Sequence, residues 1–246
     1  MQPLRNVSRV PVCPSCLQLP EPLQAEYFCC SCRTPFISSF SLDEDGYCAV
    51  CRESLINFDA AYSFGAYEGN LRKLIHLFKY GKVESLAGPL SKLLLLAIPL
   101  EAQFDAVIAM PMHWRKQWQR GFNQAQLVAQ PVARRYGLTI ANNLRRTRYT
   151  KPQAGLNEAQ RRNNLQDSFR VARPKQVAGK RVLLIDDVFT TGATLRAGAE
   201  ALKTAGALHV TALTLARVDS GSPEAGRHSL GALRQKTGFA SSRTNT

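Results

Sequence analysis

The segment from Val182 to Leu195, with the sequence VLLIDDVFTTGATL, constrains the fold of this chain more than any other stretch. Four apolar residues at 182–185 predict a buried parallel strand, and the carboxylates Asp186 and Asp187 follow where that strand is expected to end. A turn rich in threonine and glycine then leads into a helix predicted to start near Thr194. Such a unit is typical of an open α/β sheet, whose ligands bind beyond the carboxyl ends of its strands.

The turn offers the groups that a phosphate needs. The first N–H groups of a helix have no partner within the helix, and with the helix dipole they favour an anion. We expect a phosphate to be held by Thr190, Thr191, Gly192, Ala193 and Thr194, with the glycine allowing close approach of the backbone. The two preceding carboxylates would repel phosphate but suit ribose hydroxyls or Mg²⁺. The segment therefore predicts a ribose 5-phosphate site; the alternative is a solvated acidic turn after a core strand.

Positive charge is concentrated in the middle of the chain. The 246 residues have a formal net charge of +14, and residues 113–180 contain fifteen Lys/Arg against two Asp/Glu. A basic surface there would attract pyrophosphate, a phosphorylated sugar or a nucleic-acid backbone, and charge alone does not choose among them. The apolar content of 45% is sufficient for the core of one α/β domain with a small additional module.

All seven cysteines lie before residue 52, as three C-x₂-C pairs and one further thiol, Cys30. The pairs are Cys13/Cys16, Cys29/Cys32 and Cys48/Cys51. Fifteen residues separate the second pair from the third, which is the spacing of a zinc ribbon, and the first pair could replace either. Since the first eleven residues lack an apolar signal region, we expect a cytoplasmic protein whose cysteines bind a structural Zn²⁺ rather than form disulfides. The alternative is a set of incidental reduced thiols.

The composition divides the chain into three parts. Residues 10–56 are expected to form the cysteine-rich module and residues 57–218 the α/β domain. Residues 219–246 are rich in Ser, Gly, Arg and Thr, and we expect a disordered tail there.

Periodic patterns define the elements of the α/β domain. Apolar residues at 71, 74, 75 and 78 predict a helix that ends at Gly81, with His76 at its surface. A helix predicted at 86–98 is too short to cross a membrane, and no membrane insertion is expected. A helix at 124–136 and a last parallel strand at 209–216 complete the domain.

A second predicted strand, 105–111, leads into a basic loop at 112–124 that should face the same crevice as the paired carboxylates. Arginine and lysine side chains of this loop can neutralise a leaving pyrophosphate. The residues that we expect to form the pyrophosphate loop are Pro111, Arg115, Lys116 and Arg120. The alternative is a solvated basic loop with Trp114 and Trp118 packed beneath it.

Residues 144–151, with the sequence LRRTRYTK, are rich in hydrogen-bond donors and poor in apolar side chains. This composition fits a flexible flap over the site, with Arg146, Arg148 and Lys151 as its candidate contacts. A basic surface hairpin for nucleic acid or for solubility fits equally well.

The segment at 182–195 resembles the 5-phosphoribosyl-1-pyrophosphate (PRPP) loop of type I phosphoribosyltransferases, with Phe189 where a smaller aliphatic residue is usual. Together with the RGFNQ sequence at 120–124 and the cysteine module, it makes the chain similar to the ComF family. The agreement includes residues 74–76 and 78–80, and family members often have four cysteine pairs where this chain has three.

The resemblance implies a Rossmann-like type I phosphoribosyltransferase domain with a mostly parallel sheet, preceded by a zinc-ribbon module. It implies ribosyl transfer from PRPP with Mg²⁺ and loss of pyrophosphate, and a link to natural competence and DNA uptake. The carboxylates would hold the ribose hydroxyls, the turn the 5-phosphate and the basic loop the pyrophosphate. The rival interpretation is a non-catalytic DNA-handling module, with single-stranded DNA or competence proteins as partners and PRPP as a regulatory ligand.

Overall fold

The computed structural model describes residues 20–53, 57–112, 114–147 and 168–218, together with Val12 and Leu17. Several residues named above lie outside these ranges: Cys13, Cys16, Arg148, Lys151 and the tail at 219–246. Arg115 and Lys116 are described by their backbone alone.

The cysteine-rich segment comes first. It consists of strands β1 (Tyr27–Phe28) and β2 (Pro35–Phe36), which pair antiparallel, a 3₁₀ turn at Ser39–Ser41 and helix α1 (Ala49–Glu53). Two backbone hydrogen bonds attach it to the next strand of the chain, from Leu23 N to Phe64 O (2.7 Å) and from Ala61 N to Ser31 O (2.8 Å). These bonds satisfy backbone groups at the edge of the central sheet, where unpaired N–H and C=O groups would otherwise be exposed.

Strands and helices alternate in the rest of the chain, as a parallel α/β sheet requires. In chain order they are β3 (Ala60–Ala66), α2 (Gly69–Tyr80), α3 (Ala87–Ala97), β4 (Ala106–Ala109), α4 (Trp114–Arg120), α5 (Gln124–Arg135), β5 (Leu144–Arg146), β6 (Phe169–Val171), β7 (Arg181–Phe189), α6 (Ala193–Thr204) and β8 (His209–Arg217). The central sheet has the strand order β3-β8-β7-β4, and all three pairings are parallel.

The sheet has a hydrophobic core on each face, because side chains alternate between the two sides of a strand. Val182 and Leu184 of β7 are buried on the face that packs against α6, the β5–β6 hairpin and the cysteine-rich segment. Leu183 and Ile185 are buried on the opposite face, against α2, α3 and α5. Helices therefore cover both faces of a parallel sheet, and the predicted α/β class is confirmed.

Helix α2 agrees closely with its prediction. The apolar residues at 71, 74, 75 and 78 are all buried, and the helix ends at Tyr80, directly before Gly81. His76 is exposed, as predicted, with its ring 4.6 Å from the ring of Tyr80. Among the described residues no helix is both long and apolar enough to cross a membrane.

Two predictions for these segments were wrong. Strand β7 does not end at Ile185 but continues to Phe189, because β8 remains paired with it up to Arg217. Helix α6 begins at Ala193, next to its predicted start near Thr194. Residues 114–120 form helix α4 rather than a loop. The alternative of buried tryptophans beneath this segment is also wrong, because Trp114 and Trp118 are 65% and 89% exposed.

The basic segment that begins at Leu144 forms part of a hairpin. Strand β5 pairs antiparallel with β6, and Leu144 and Phe169 are buried at its base in the core on the α6 side. Residues 148–167, which include the remaining flap candidates, lie outside the described residues.

Candidate functional site

The two carboxylates of β7 lie inside the strand, near its carboxyl end, rather than beyond it. By the alternation along the strand, Asp186 belongs to the face of Leu184 and α6, and Asp187 to the face of Ile185 and α2. The backbone N–H of Asp187 donates to Asp186 Oδ1 at 2.8 Å. The pair therefore presents its carboxylates to two different sets of neighbours.

Asp187 is paired with a lysine that the sequence analysis did not select. Lys79 Nζ lies 2.8 Å from Asp187 Oδ1, with the two side chains only 13% and 15% exposed. Lys79 is placed there by the last turn of α2, whose buried stripe packs against the same face of the sheet. A cation thus lies beside the carboxylate on which a ribose hydroxyl is expected.

Asp186 has a different environment. Burial raises its pKa to about 7, and the neighbouring charge of Asp187 adds to the increase. The charges of Lys79 and Arg146 oppose this increase only in part. Arg146 belongs to β5, and its guanidinium lies 5.5 Å from the centre of the Phe169 ring. Of the three flap candidates, Arg146 is therefore placed by the hairpin on the side of the sheet that Asp186 faces.

The turn after β7 has the geometry expected of a phosphate-binding turn. Thr190 and Thr191 are exposed, and Gly192 precedes α6 in the left-handed conformation, with φ 72° and ψ −2°. The Ala193 N–H points back to Thr191 Oγ1 at 3.4 Å, and Thr194 lies in the first turn of the helix. The N-terminal end of α6 and two threonine hydroxyls therefore meet directly after the carboxylates.

Arg196 is a second residue that the sequence analysis missed. From the first turn of α6 its Nη2 donates to the carbonyl oxygen of Thr191 at 2.6 Å, which brings a guanidinium to the turn. The sequence signal for it was available, because helical side chains tilt toward the N-terminus, so an arginine in the first turn of a helix can reach the turn before it.

The RGFNQ sequence at 120–124 connects α4 to α5. Gly121 has φ +89°, a left-handed conformation that favours glycine. Asn123 caps α5 by accepting from Ala125 N (3.1 Å) and donates to Met110 O (3.0 Å), which holds the end of β4 next to Pro111. Arg120 donates to Gln124 Oε1 at 3.2 Å. The motif is thus a structural junction at the carboxyl end of β4, the strand that neighbours β7.

An aromatic and basic surface lies beside this junction, formed by Tyr80, Trp114, Trp118 and Arg120. The guanidinium of Arg120 lies 5.0 Å from the centre of the Tyr80 ring, and its Nη2 donates to the Tyr80 hydroxyl at 3.4 Å. Trp114, Gln117, Trp118 and Gly121 line an open cavity of about 510 Å³. Arg115 and Lys116 are on the same helix, so α4 combines two exposed tryptophans with three cationic residues.

The cysteines that the zinc-ribbon spacing singled out lie together. Their sulfur atoms are all within 4.8 Å of one another, and all four residues are buried. They are Cys29, Cys32, Cys48 and Cys51. The fifth described cysteine, Cys30, is exposed and lies apart from this group.

The arrangement of the four sulfurs suits a metal. The sulfurs of Cys32 and Cys48 are 3.7 Å apart, and tetrahedral zinc with Zn–S bonds of about 2.3 Å requires roughly 3.8 Å. The Cys48 N–H points to Cys29 Sγ at 3.4 Å, which would stabilise a thiolate. The cluster could therefore bind a metal such as zinc through four thiolates. Such a closed site has no open position for a reacting water.

The fold and the β7 turn define the class of protein. A four-stranded parallel sheet with paired carboxylates and a left-handed glycine turn before a helix is a phosphoribosyltransferase-type α/β domain, joined here to a cysteine-rich segment. In agreement, the phosphoribosyl transferase domain family matches residues 123–228.

Three similar proteins identify the family within this class. Competence protein F of Haemophilus influenzae is 32% identical over 179 residues, which cover 70% of this chain and 78% of that protein. The DNA utilization protein YhgH of Escherichia coli O157:H7 is 34% identical over 69% of this chain and 77% of that protein. Competence protein ComFC of Bacillus subtilis is 32% identical over 45% of this chain and 44% of that protein. The chain belongs to the ComF family.

Proposed function

We propose that this chain binds PRPP together with Mg²⁺ at the carboxyl end of β7 and transfers the ribosyl 5-phosphate group to an acceptor, with release of pyrophosphate. One observation supports the proposal most strongly: Asp186 and Asp187 are followed, without a break, by the left-handed Gly192 and the N-terminal end of α6. That unit supplies acceptors for ribose hydroxyls next to donors for a phosphate.

The roles of the residues follow from their charges. Ribose hydroxyls donate to the two carboxylates, while the turn at 190–194 and the nearby Arg196 receive the 5-phosphate. In the free protein Lys79 neutralises Asp187. Asp186 and Asp187 would also help to hold Mg²⁺, which would supply further positive charge for the pyrophosphate.

In the reaction, the bond between ribose C1 and the pyrophosphate oxygen breaks, and its electron pair leaves with the pyrophosphate. A lone pair of the acceptor forms the new bond to C1. The transition state has oxocarbenium character, so negative groups near the ribose and positive groups near the leaving oxygens stabilise it. The carboxylates of β7 have the first role, and Arg115, Lys116 and Arg120 on or beside α4 have the second.

We also propose that the four clustered cysteines bind one structural Zn²⁺. The buried sulfurs, their mutual distances and the N–H bond to Cys29 support this assignment. The names of the relatives further support a role in DNA uptake or DNA utilisation.

Calorimetric titration with PRPP and Mg²⁺ tests the binding proposal. We expect Asp187→Asn to weaken PRPP binding by at least about tenfold, because it removes a charged acceptor for a ribose hydroxyl. The matched control is Asp105→Asn, which changes a carboxylate paired with Arg181 at the opposite, amino end of β7. Equal PRPP affinity in wild type and Asp187→Asn would contradict the site. Pyrophosphate release with a panel of bases and single-stranded DNA then tests transfer and identifies the acceptor class.

A second candidate function is single-stranded DNA binding with PRPP as a regulatory ligand. The observation that favours it is the aromatic and basic surface of Tyr80, Trp114, Trp118 and Arg120, in which both tryptophans are exposed and the Arg120 guanidinium lies over the Tyr80 ring. Proteins that bind single strands stack bases on aromatic side chains and follow the backbone with positive charge.

Fluorescence tests this candidate directly, because Trp114 and Trp118 are the two tryptophans of the chain. Stacking of oligonucleotide bases should quench their emission, and affinity should fall steeply with salt. Trp118→Ala should weaken binding by about tenfold, whereas Leu100→Ala, which removes another highly exposed apolar side chain, should not. Tryptophan emission that DNA does not quench at low salt would exclude DNA binding at this surface.

A further inference from the structure

Phe189, the residue that departs from the usual phosphate-loop sequence, packs against the turn at 190–194. It is the last residue of β7, and it is buried. A Cβ atom built on Gly192 would lie 2.6 Å from Cζ of the Phe189 ring. The Phe58 ring packs against Phe189 in an edge-to-face arrangement, with centroids 6.3 Å apart. The position of Phe189 therefore fixes the backbone at Gly192.

The Phe189 ring is in turn covered by a buried cation. Arg217, the last residue of β8, is 3% exposed, and its guanidinium carbon lies 4.8 Å from the centre of the Phe189 ring. Its Nη1 donates to the carbonyl oxygen of Cys32 at 2.7 Å, and its Nη2 donates to Thr34 Oγ1 at 2.6 Å. That hydroxyl is 2.8 Å from Cys32 Sγ. One side chain thus connects a cysteine of the cluster to the ring beneath the phosphate turn.

The charge of Arg217 needs compensation. Within the described parts of the chain no carboxylate lies within ion-pair distance of its guanidinium. A buried cation without a counter-charge is strongly unfavourable. Four thiolates around one Zn²⁺ have a net charge of −2, and Cys32 is one of the four. The metal-loaded cluster therefore supplies the negative charge that Arg217 lacks.

We propose that Arg217 and Phe189 are positioning residues that couple metal occupancy of the cysteine cluster to phosphate affinity of the turn at 190–194. Loss of the metal removes the counter-charge and loosens the Cys32–Thr34 segment. Arg217 then no longer holds the Phe189 ring against Gly192, and the turn loses its preformed shape. This inference rests on the proposed function, since it assumes that the turn receives the 5-phosphate of PRPP.

The test compares PRPP affinity in the zinc-loaded full chain, the chelator-treated chain, Phe189→Leu and Arg217→Met. We expect zinc removal and each substitution to weaken PRPP binding by about tenfold, within the usual range of coupling between two sites. Phe189→Leu should retain its zinc by elemental analysis, which separates the effect on the turn from metal loss. Zinc removal should have little further effect in Arg217→Met, because the connection is already broken. The control Arg181→Met removes an exposed arginine at the other end of the sheet and should leave affinity unchanged.

Amide hydrogen exchange at 190–196 provides a readout that needs no ligand. Zinc removal should accelerate exchange there in wild type, and Arg217→Met should show fast exchange with or without zinc. If wild type binds no PRPP but exchange at the turn responds to zinc, the proposed function fails, whereas the structural connection from the cysteine cluster to the turn stands. If PRPP binds with equal affinity in all four samples and exchange at the turn does not change on zinc removal, the proposed coupling is wrong. The proposed function is not affected by that result.

Discussion

Lys79 Nζ lies 2.8 Å from Asp187 Oδ1, so the last turn of helix α2 is joined by an ion pair to the strand that leads into the phosphate turn. Both side chains are largely shielded from water, and the pair is therefore less screened than a surface salt bridge. It orients the Asp187 side chain in the free protein. Any ligand hydroxyl that approaches Asp187 meets a carboxylate already beside a cation.

Removing the lysine tests this ion pair. Lys79→Met should destabilise the protein by about 1–3 kcal/mol, because it leaves a shielded carboxylate without its partner. Urea unfolding measures the change, and Lys73→Met on an exposed position of the same helix is the control. A Lys79→Met variant as stable as the control would show that the ion pair does not contribute to folding.

The buried carboxyl of Asp186 predicts a pH-dependent stability. Its pKa is raised to about 7 in the folded protein, chiefly by burial and then by the charge of Asp187, against about 3.9 in an unfolded chain. Between these values the folded state binds more protons, so stability is full below about pH 4 and is lost as pH rises through about 7. The slope is at most about 1.4 kcal/mol per pH unit.

Asp186→Asn removes this titration. The difference in unfolding free energy between Asp186→Asn and wild type should therefore move in favour of the variant from pH 4 to pH 8. Denaturant midpoints across that pH range measure this difference in unfolding free energy. Titrating groups that both proteins share contribute equally to the two values and cancel in the difference. If the difference in unfolding free energy stays constant with pH, the pKa of Asp186 is not raised in the folded protein.

The cysteine cluster predicts a metal content. Purified protein should contain about one Zn²⁺ per chain, and Cys29→Ser should lose it, whereas Cys30→Ser should not, because Cys30 is exposed and lies outside the cluster. Chelation should loosen residues 20–53 more than the core of the sheet, since structural zinc contributes folding free energy directly. Zinc-free protein with intact thiols would refute the assignment. A Cys29→Ser variant that keeps its full zinc content would mean that Cys13 or Cys16 can replace Cys29 as a ligand.

Local patterns were sufficient to predict three of the four strands of the central sheet, the helix that ends before Gly81 and the turn before α6, whereas strand β3 was not predicted. The ends of elements were less predictable, because the extension of β7 to Phe189 depends on pairing with β8 and not on its own residues. For the same reason the helical pattern at 71–78 did not single out Lys79. Its partner is distant in sequence, and the contact exists because α2 packs over β7.

The exposed tryptophans and Phe189 show a second limit of sequence reasoning. Apolar residues are expected in the core, and nothing in the pattern at 112–124 distinguishes a buried tryptophan from an exposed one. Phe189 was noted only as a departure from the usual loop sequence, and its burial was not predicted. Its contacts with Gly192 and Arg217 join three segments of the chain, so only the packed structure reveals them.

Gly192 is a residue whose replacement should be poorly tolerated. Its φ of 72° is left-handed, and an added Cβ would collide with the Phe189 ring at 2.6 Å. Gly192→Ala should cost about 1–2 kcal/mol for the backbone conformation alone, with a further cost if the ring must move. Gly88→Ala is the matched control, because Gly88 lies in helix α3 with no atom within 4 Å of its added Cβ, and alanine there should be neutral or stabilising. Thermal unfolding and PRPP titration of both variants measure the outcome: a Gly192→Ala protein with wild-type stability and affinity would mean that the turn adopts another conformation in solution.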